Sequence, residues 1–424
     1  MHETEKCELV TSSRVTEEDG PAAPHWKRNL AVCIFGSFTT IVSMTLVVPF
    51  LPLYVEQLGV QGRASIAEWS GACFAAAFFT AGLVAPLWGR LADRYGGKLM
   101  LIRASLGMAV GMSLMGMVGN VWEFFGLRLL VGFLGGYASS AMVLVATQSP
   151  KNRSGWALGM LSSGVMAGNL VGPLVGGLLP QRIGIRETFY LVGSVIFVSF
   201  LATVFLIRED PRQPPKESET QSRSPSSIDG RIVALMLGLG LLSVLANMSI
   251  EPIITMYVGE IVNEPGQVTF VAGLVMSAAA LGSIVSASRV GKLADRMNHR
   301  IVIAGSMALA ACLLVPQAYV SEAWQLIGLR FAMGLALGGL LPCITSVLRH
   351  SVPDRIAGSI LGYLVSSQFA GLVVGPLLGG FVGSHLGMRA VFLATAVPLG
   401  LGAAATWAMT PEAIKRPPTP NAQF

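Results

Sequence analysis

Charge is what this 424-residue sequence has least of: Asp, Glu, Lys and Arg together make up 12%, against roughly 25% for a soluble domain. Too few ionic groups remain to cover a water-facing surface, so a soluble globular fold is excluded. Cysteine is sparse as well. Cys7, Cys33, Cys73, Cys312 and Cys343 are odd in number and scattered, four of them inside apolar runs, and read as small core residues. The five histidines, His2, His25, His299, His350 and His385, all fall in tails or turns, which removes both a metal centre and an imidazole proton relay inside a membrane. A nucleotide-binding Gly-x-x-x-x-Gly-Lys-Ser/Thr is missing, as is any soluble stretch large enough to house an enzyme site. The outer loops are too short to form a receptor's ligand domain. No cofactor, nucleic-acid partner or enzymatic activity is expected.

What fills the chain instead is apolar: 53% hydrophobic residues and a mean hydropathy of +0.63. The runs are continuous over about 20 residues, the length of a membrane-crossing helix, and do not alternate as barrel strands would. They predict an all-α integral membrane protein with twelve spans, at 30–54, 66–88, 98–118, 122–147, 156–179, 188–207, 231–257, 267–289, 299–319, 322–347, 356–382 and 387–409. Residues 1–24 form a polar tail, 25–207 a first six-helix bundle, 208–230 a Pro- and Ser-rich linker, 231–410 a second bundle and 411–424 a closing tail.

The two bundles repeat each other. Gly89-Arg90-Leu91-Ala92-Asp93-Arg94-Tyr95-Gly96-Gly97-Lys98 returns 202 positions later as Gly291-Lys292-Leu293-Ala294-Asp295-Arg296-Met297-Asn298-His299-Arg300. Arg128 and Gly132 in span four match Arg330 and Gly334 in span ten at the same offset. The run Gly168-Asn169-Leu170-Val171-Gly172-Pro173-Leu174-Val175-Gly176-Gly177 in span five matches Gly371 to Gly380 in span eleven at 203, as Pro49 and Tyr54 match Pro252 and Tyr257. A duplicated six-helix half predicts two pseudo-symmetric bundles with the transport path between them.

Lysines and arginines fix the orientation. With the amino terminus inside, 22 of 29 lie in inner tails, turns and linker, and four lie outside. Both termini and both charged turns are therefore expected in the cytoplasm.

With its charged Gly-x-Leu-Ala-Asp-Arg-x-Gly turn, span-four arginine and span-five Gly-Pro run, the sequence over residues 26–409 resembles the major facilitator superfamily, in its twelve-span drug:proton antiporter branch. The resemblance implies a monomeric, proton-coupled exporter of a small molecule in a bacterial inner membrane. It assigns Gly89, Asp93, Arg94, Gly96, Asp295 and Arg296 to a latch that breaks as the halves rock. It ties Arg128 to proton coupling, and Gly168, Gly172, Pro173, Gly176 and Gly177 to an export-type motif. Two departures stand out: Gly97 replaces the usual basic residue, and Asn298 replaces the second glycine.

The residues carry readings of their own. Glycines at i, i+4 allow close helix contact in lipid. Arg128 needs a partner inside the bundle or must snorkel outward, whereas Arg103, five residues after Lys98, is expected to snorkel to the inner surface. If the family pattern holds, spans one, four, seven and ten line the path, with Ser43, Met44, Tyr137, Ser140 and Asn247 among its candidates. So mild a polar inventory suits lipophilic or amphipathic drug-like compounds. Export of an endogenous product such as a siderophore fits it too.

Glu251 is the one acid well inside a run. It lies about 30 Å of helix rise past Arg231, next to the kinking Pro252. It either faces the cavity, with Arg330 as its partner in proton coupling, or sits at the outer interface bonded to water.

Overall fold

The computed structural model describes residues 25–209 and 230–409. The tail 1–24, most of the linker 208–230 and the tail 411–424 lie outside this description, as do the side chains of Asp93, Asp295 and Arg296. The described residues form helices and short turns, without strands.

Twelve helical spans are long and apolar enough to cross a membrane: Trp26–Gln57, Arg63–Ala92, Gly97–Met115, Val121–Gln148, Ser154–Ile183, Ile185–Leu206, Gly230–Ile261, Pro265–Ala287, His299–Gln317, Ala323–Ser351, Ile356–Leu386 and Met388–Ala408. We number them one to twelve. They make this a multi-pass membrane protein. The perimeter is apolar and open, with Leu83, Phe205 and Leu401 at 70%, 75% and 66% exposure, as expected where lipid is the solvent. Trp122 and Trp324, related by the repeat, stand out at one end of spans four and ten at 68% and 70%, the position of an interfacial aromatic belt.

Four spans are interrupted, each at a residue that cannot continue a helix smoothly. Pro49 and Pro252 fall in the short 3-10 turns Val48–Phe50 and Glu251–Ile253 that break spans one and seven. Span four breaks at Gly135 and Gly136, the latter at φ 99°, and span ten at Gly338 and Gly339. These glycine breaks are not apparent from hydropathy.

The internal repeat holds contact by contact. Tyr54 Oη donates to the Met115 carbonyl at 2.5 Å, and Tyr257 Oη to the Gln317 carbonyl at 2.8 Å. Their rings pack on Phe189 and Phe392, at centroid distances of 5.2 and 4.9 Å. A Cβ on Gly132 would collide with the Ala77 carbonyl, and one on Gly334 with that of Ala279, so both crossings depend on glycine.

The halves meet along two seams, span two with span eleven and span five with span eight. The contacts gather at the end remote from the chain termini. Gly71 lies against the Pro376 carbonyl and Gly273 against that of Pro173, while Gly380 and Gly177 meet the carbonyls of Ala67 and Thr269. Polar links cross at the same end: Arg63–Glu260 at 3.1 Å, Ser384 to Glu68 at 2.8 Å and Gln181 to Thr269 at 2.6 Å. At the terminus end, a Cβ added to Gly89, Gly155, Gly159, Gly358 or Gly362 would meet no described atom. Among the described residues, the close contacts between the bundles thus lie at one end, and these glycines at the other end meet none.

Candidate functional site

Between the bundles, beside the closed end, lies a cavity of about 280 Å³. The first half contributes Thr45 and Val48 from span one and Met166, Asn169 and Pro173 from span five. The second contributes Asn247, Met248 and Glu251 from span seven, with Met276, Ala279, Ala280, Ser283 and Ile284 from span eight. Two larger grooves, of about 520 and 650 Å³, are each lined by one half only and carry no acid.

Glu251 is the cavity's ionisable group. The chain presents it there because Pro252 interrupts span seven, and the resulting 3-10 turn begins at Glu251. The matching turn of span one offers Val48 to the same cavity. Thr255 Oγ1 donates to the Pro49 carbonyl at 2.8 Å and ties the two turns together across the halves.

Arg330 is 1% exposed. Its Nη1 approaches Met333 Sδ at 3.7 Å and its Nε has no partner. It is the charge acting on the Glu251 carboxyl, and the reverse holds. No ion pair joins the two among the described residues, whereas Arg63 and Glu260 do pair, at 3.1 Å. Glu251 thus lines the cavity without a direct hydrogen bond or ion pair to Arg330 among the described residues.

Arg128, equally buried, is satisfied differently. Its Nε donates to the Cys73 carbonyl at 3.1 Å, and the guanidinium lies 5.8 and 6.0 Å from the ring centroids of Phe74 and Phe124. It faces the interior of its bundle and does not snorkel. Arg103 also stays inside: it stacks 3.5 Å from the Trp88 centroid and donates to the Gly135 carbonyl at 2.8 Å, bracing the break in span four. The expected reach of Arg103 to the inner surface gives way to this ring and this freed carbonyl.

The predicted cavity residues are dispersed. Asn247 lines the cavity. Ser43 is buried and donates to the Thr40 carbonyl at 2.7 Å, and Met44 packs on the apolar core. Tyr137 fills the space beside Gly36 and shares a 3.0 Å hydrogen bond with Thr203. Ser140 sits half-buried past the break in span four. The cavity draws on spans one, five, seven and eight, which differs from the expected one, four, seven and ten. Membrane hydroxyls bond to carbonyls of their own helix, as Thr40 does to Gly36 at 2.7 Å and Ser243 to Leu239 at 2.6 Å, so a hydroxyl needs no cavity.

The span-five motif divides by face. Gly168, Gly172 and Gly176 meet span one, against Ile41, Thr45 and Leu46, while Pro173 and Gly177 meet span eight. At the charged turn, Gly96 adopts φ 91° between spans two and three, a conformation glycine accepts without strain. Glu209 accepts from the Gly97 and Lys98 amides at 2.8 Å each, so a carboxylate caps span three where the helix dipole favours it. Arg94 is exposed and lies over Tyr95 at 5.3 Å, and Gly89 is exposed. In the second copy Asn298 caps its own helix, accepting from the Arg300 amide at 3.0 Å, which gives its replacement of glycine a structural reason.

Duplicated bundles around an interfacial cavity are the architecture of a secondary transporter. The model of the Major Facilitator Superfamily matches residues 33–257 and again 236–424, and the chain belongs to that family. Among relatives, the multidrug resistance protein MdtG of Salmonella arizonae is 42% identical over 385 residues, 90% of this chain and 95% of the relative. MdtG of Salmonella typhimurium matches to the same extent. Among solved structures, a bacterial homologue of the human lysosomal transporter Spinster, in an inward-facing and occupied conformation, superposes with a TM-score of 0.77 at 14% identity, covering 94% of this chain and all of that one. The nucleoside transporter NupG superposes at 0.69 with 14% identity, over 90% of this chain and all of its own.

Proposed function

We propose that this protein is a proton-coupled exporter of lipophilic or amphipathic drug-like compounds in a bacterial inner membrane, working as a monomer by alternating access between its halves. The observation that carries this reading is Glu251 on the cavity wall. A carboxyl there binds a proton in one state and yields it when substrate or Arg330 competes, which is the exchange that antiport requires. The name of the MdtG relatives supports drug-like substrates. Three cavity methionines support them too, since thioether side chains adapt to varied apolar shapes.

On this reading the terminus end is cytoplasmic, which the distribution of lysine and arginine supports. The described state then opens inward, and loading occurs from the cytoplasm or inner leaflet. Asp93, Arg94, Asp295 and Arg296 act as the latch at that end when the bundles close there.

The test is dye and antibiotic efflux in a host stripped of its own pumps, with and without an uncoupler, alongside proton release on substrate addition to purified protein. Efflux that stops with the uncoupler, and proton release that vanishes in Glu251→Gln, are expected. Efflux that ignores the uncoupler overturns proton coupling, and unchanged proton release in the variant overturns Glu251 as the coupling group. Absence of efflux for every compound overturns drug export.

A further inference from the structure

Two carboxamides share the cavity, Asn169 on the first half and Asn247 on the second. Neither is hydrogen-bonded to any described residue, unlike the hydroxyls beside them: Thr45 Oγ1 donates to Ile41 at 2.9 Å and Ser283 Oγ to Gly334 at 3.3 Å. An amide carries two donors and an acceptor, and with Asn169 exposed and Asn247 half-buried on the cavity wall both are open to water or to a ligand's polar group. The repeat sharpens the point. The counterpart of Asn169 is Leu372 and that of Asn247 is Met44, so at both positions the other half uses an apolar residue. The polar pair is therefore not part of the shared scaffold.

We propose that Asn169 and Asn247 determine specificity as a two-armed clamp, grasping a hydroxyl, carbonyl or amide group on an otherwise lipophilic substrate, one arm from each half. A volume of 280 Å³ corresponds to a sphere about 8 Å across, near the lower end of small-molecule pockets, so one polar head reaches both amides. Met166, Met248 and Met276 surround the apolar remainder. Charge selection stays with Glu251, while the amides select for hydrogen-bonding capacity. The role in transport rests on the export reading above; the binding itself does not.

The experiment measures equilibrium binding of chloramphenicol, which carries hydroxyls and an amide, and of tetraphenylphosphonium, which carries no hydrogen-bonding group, to the purified full-length protein. Asn169→Leu and Asn247→Met install the residues that the other half uses. Each is expected to weaken chloramphenicol binding by about tenfold, the worth of one desolvated hydrogen bond, and to leave tetraphenylphosphonium at the parental affinity. Equal loss of both ligands by a folded variant, loss of neither, or a parent that binds neither overturns the clamp. If gel filtration shows a variant misfolded, Asn169→Gln and Asn247→Gln decide: displaced amides weaken chloramphenicol alone if the proposal holds, and unchanged affinity overturns it. Efflux is scored separately. A parent that binds chloramphenicol through these amides without exporting it leaves the clamp intact and overturns the export reading.

Discussion

Arg128 and Arg330 occupy equivalent places in the two halves, 202 positions apart, and both are 1% exposed. Around Arg128 stand Cys73, Phe74 and Phe124, whose carbonyl and rings satisfy the guanidinium. The same three positions around Arg330 are Val275, Met276 and Leu326. Without the rings, Arg330 keeps an unpartnered Nε and a thioether contact. Nearby, Glu251 stands where the first half has Val48. One half has closed its buried charge into the scaffold, and the other has left it poised beside an acid on the cavity. Duplication supplied the frame, and a handful of substitutions placed the chemistry on one side of it.

The strongest way to break this comparison is to move the acid. In the double variant Val48→Glu with Glu251→Val the carboxyl faces the same cavity from the other half, where Arg128 is already satisfied. Coupled efflux is expected to fall to background and to recover no further than in Glu251→Val alone. Restored efflux would make the halves chemically interchangeable.

The arginines themselves come next. Arg128→Lys loses the bond from Nε to Cys73 and the planar group beside two rings, a loss of about 2–3 kcal/mol. It should appear as a lower thermal midpoint in detergent and reduced transport. Arg330→Lys surrenders no Nε bond, so its midpoint should drop less while its transport shifts in pH dependence. Equal drops in stability would erase the distinction drawn here.

Where the scaffold is shared, effects should match. Gly132→Ala and Gly334→Ala each press a methyl on a carbonyl of the neighbouring helix, costing roughly 1–3 kcal/mol, and unequal unfolding midpoints would show that one crossing relaxes more easily. Smallest of all, Tyr54→Phe and Tyr257→Phe each remove one buried hydrogen bond worth about 1 kcal/mol. Paired melting curves that separate well beyond experimental scatter would reveal asymmetry inside the frame as well.

The twelve spans were legible because lipid demands long apolar runs, and each observed helix overlaps its predicted run, from Trp26–Gln57 for 30–54 to Met388–Ala408 for 387–409. The pairing of the halves was legible too, since an offset read along the chain reappears as Tyr54 with Met115 and Tyr257 with Gln317. The cavity was legible only in part. Glu251 and Asn247 line it, but Tyr137 and Ser43 point into the first bundle. A helix apolar on every side gives no periodic signal of its rotation, so span membership could not say which face looks inward. Asn169, Met166, Met276 and Ser283 were missed for that reason. The one available signal for Asn169 was its departure from Leu372 in an otherwise matching run.

The glycine seams at the closed end have a thermodynamic side. The carbonyls of Pro376 and Pro173 stand where a Cβ on Gly71 or Gly273 would be, so even alanine at either place acts as a wedge between bundles whose internal packing it leaves alone. On the alternating-access reading proposed above, its free-energy cost falls on one of two conformers, the one closed at this end. A wedge of about 1.4 kcal/mol moves the ratio of the two conformers tenfold. Single methyl groups at these glycines are therefore graded weights on the resting orientation of the transporter, independent of anything bound in its cavity.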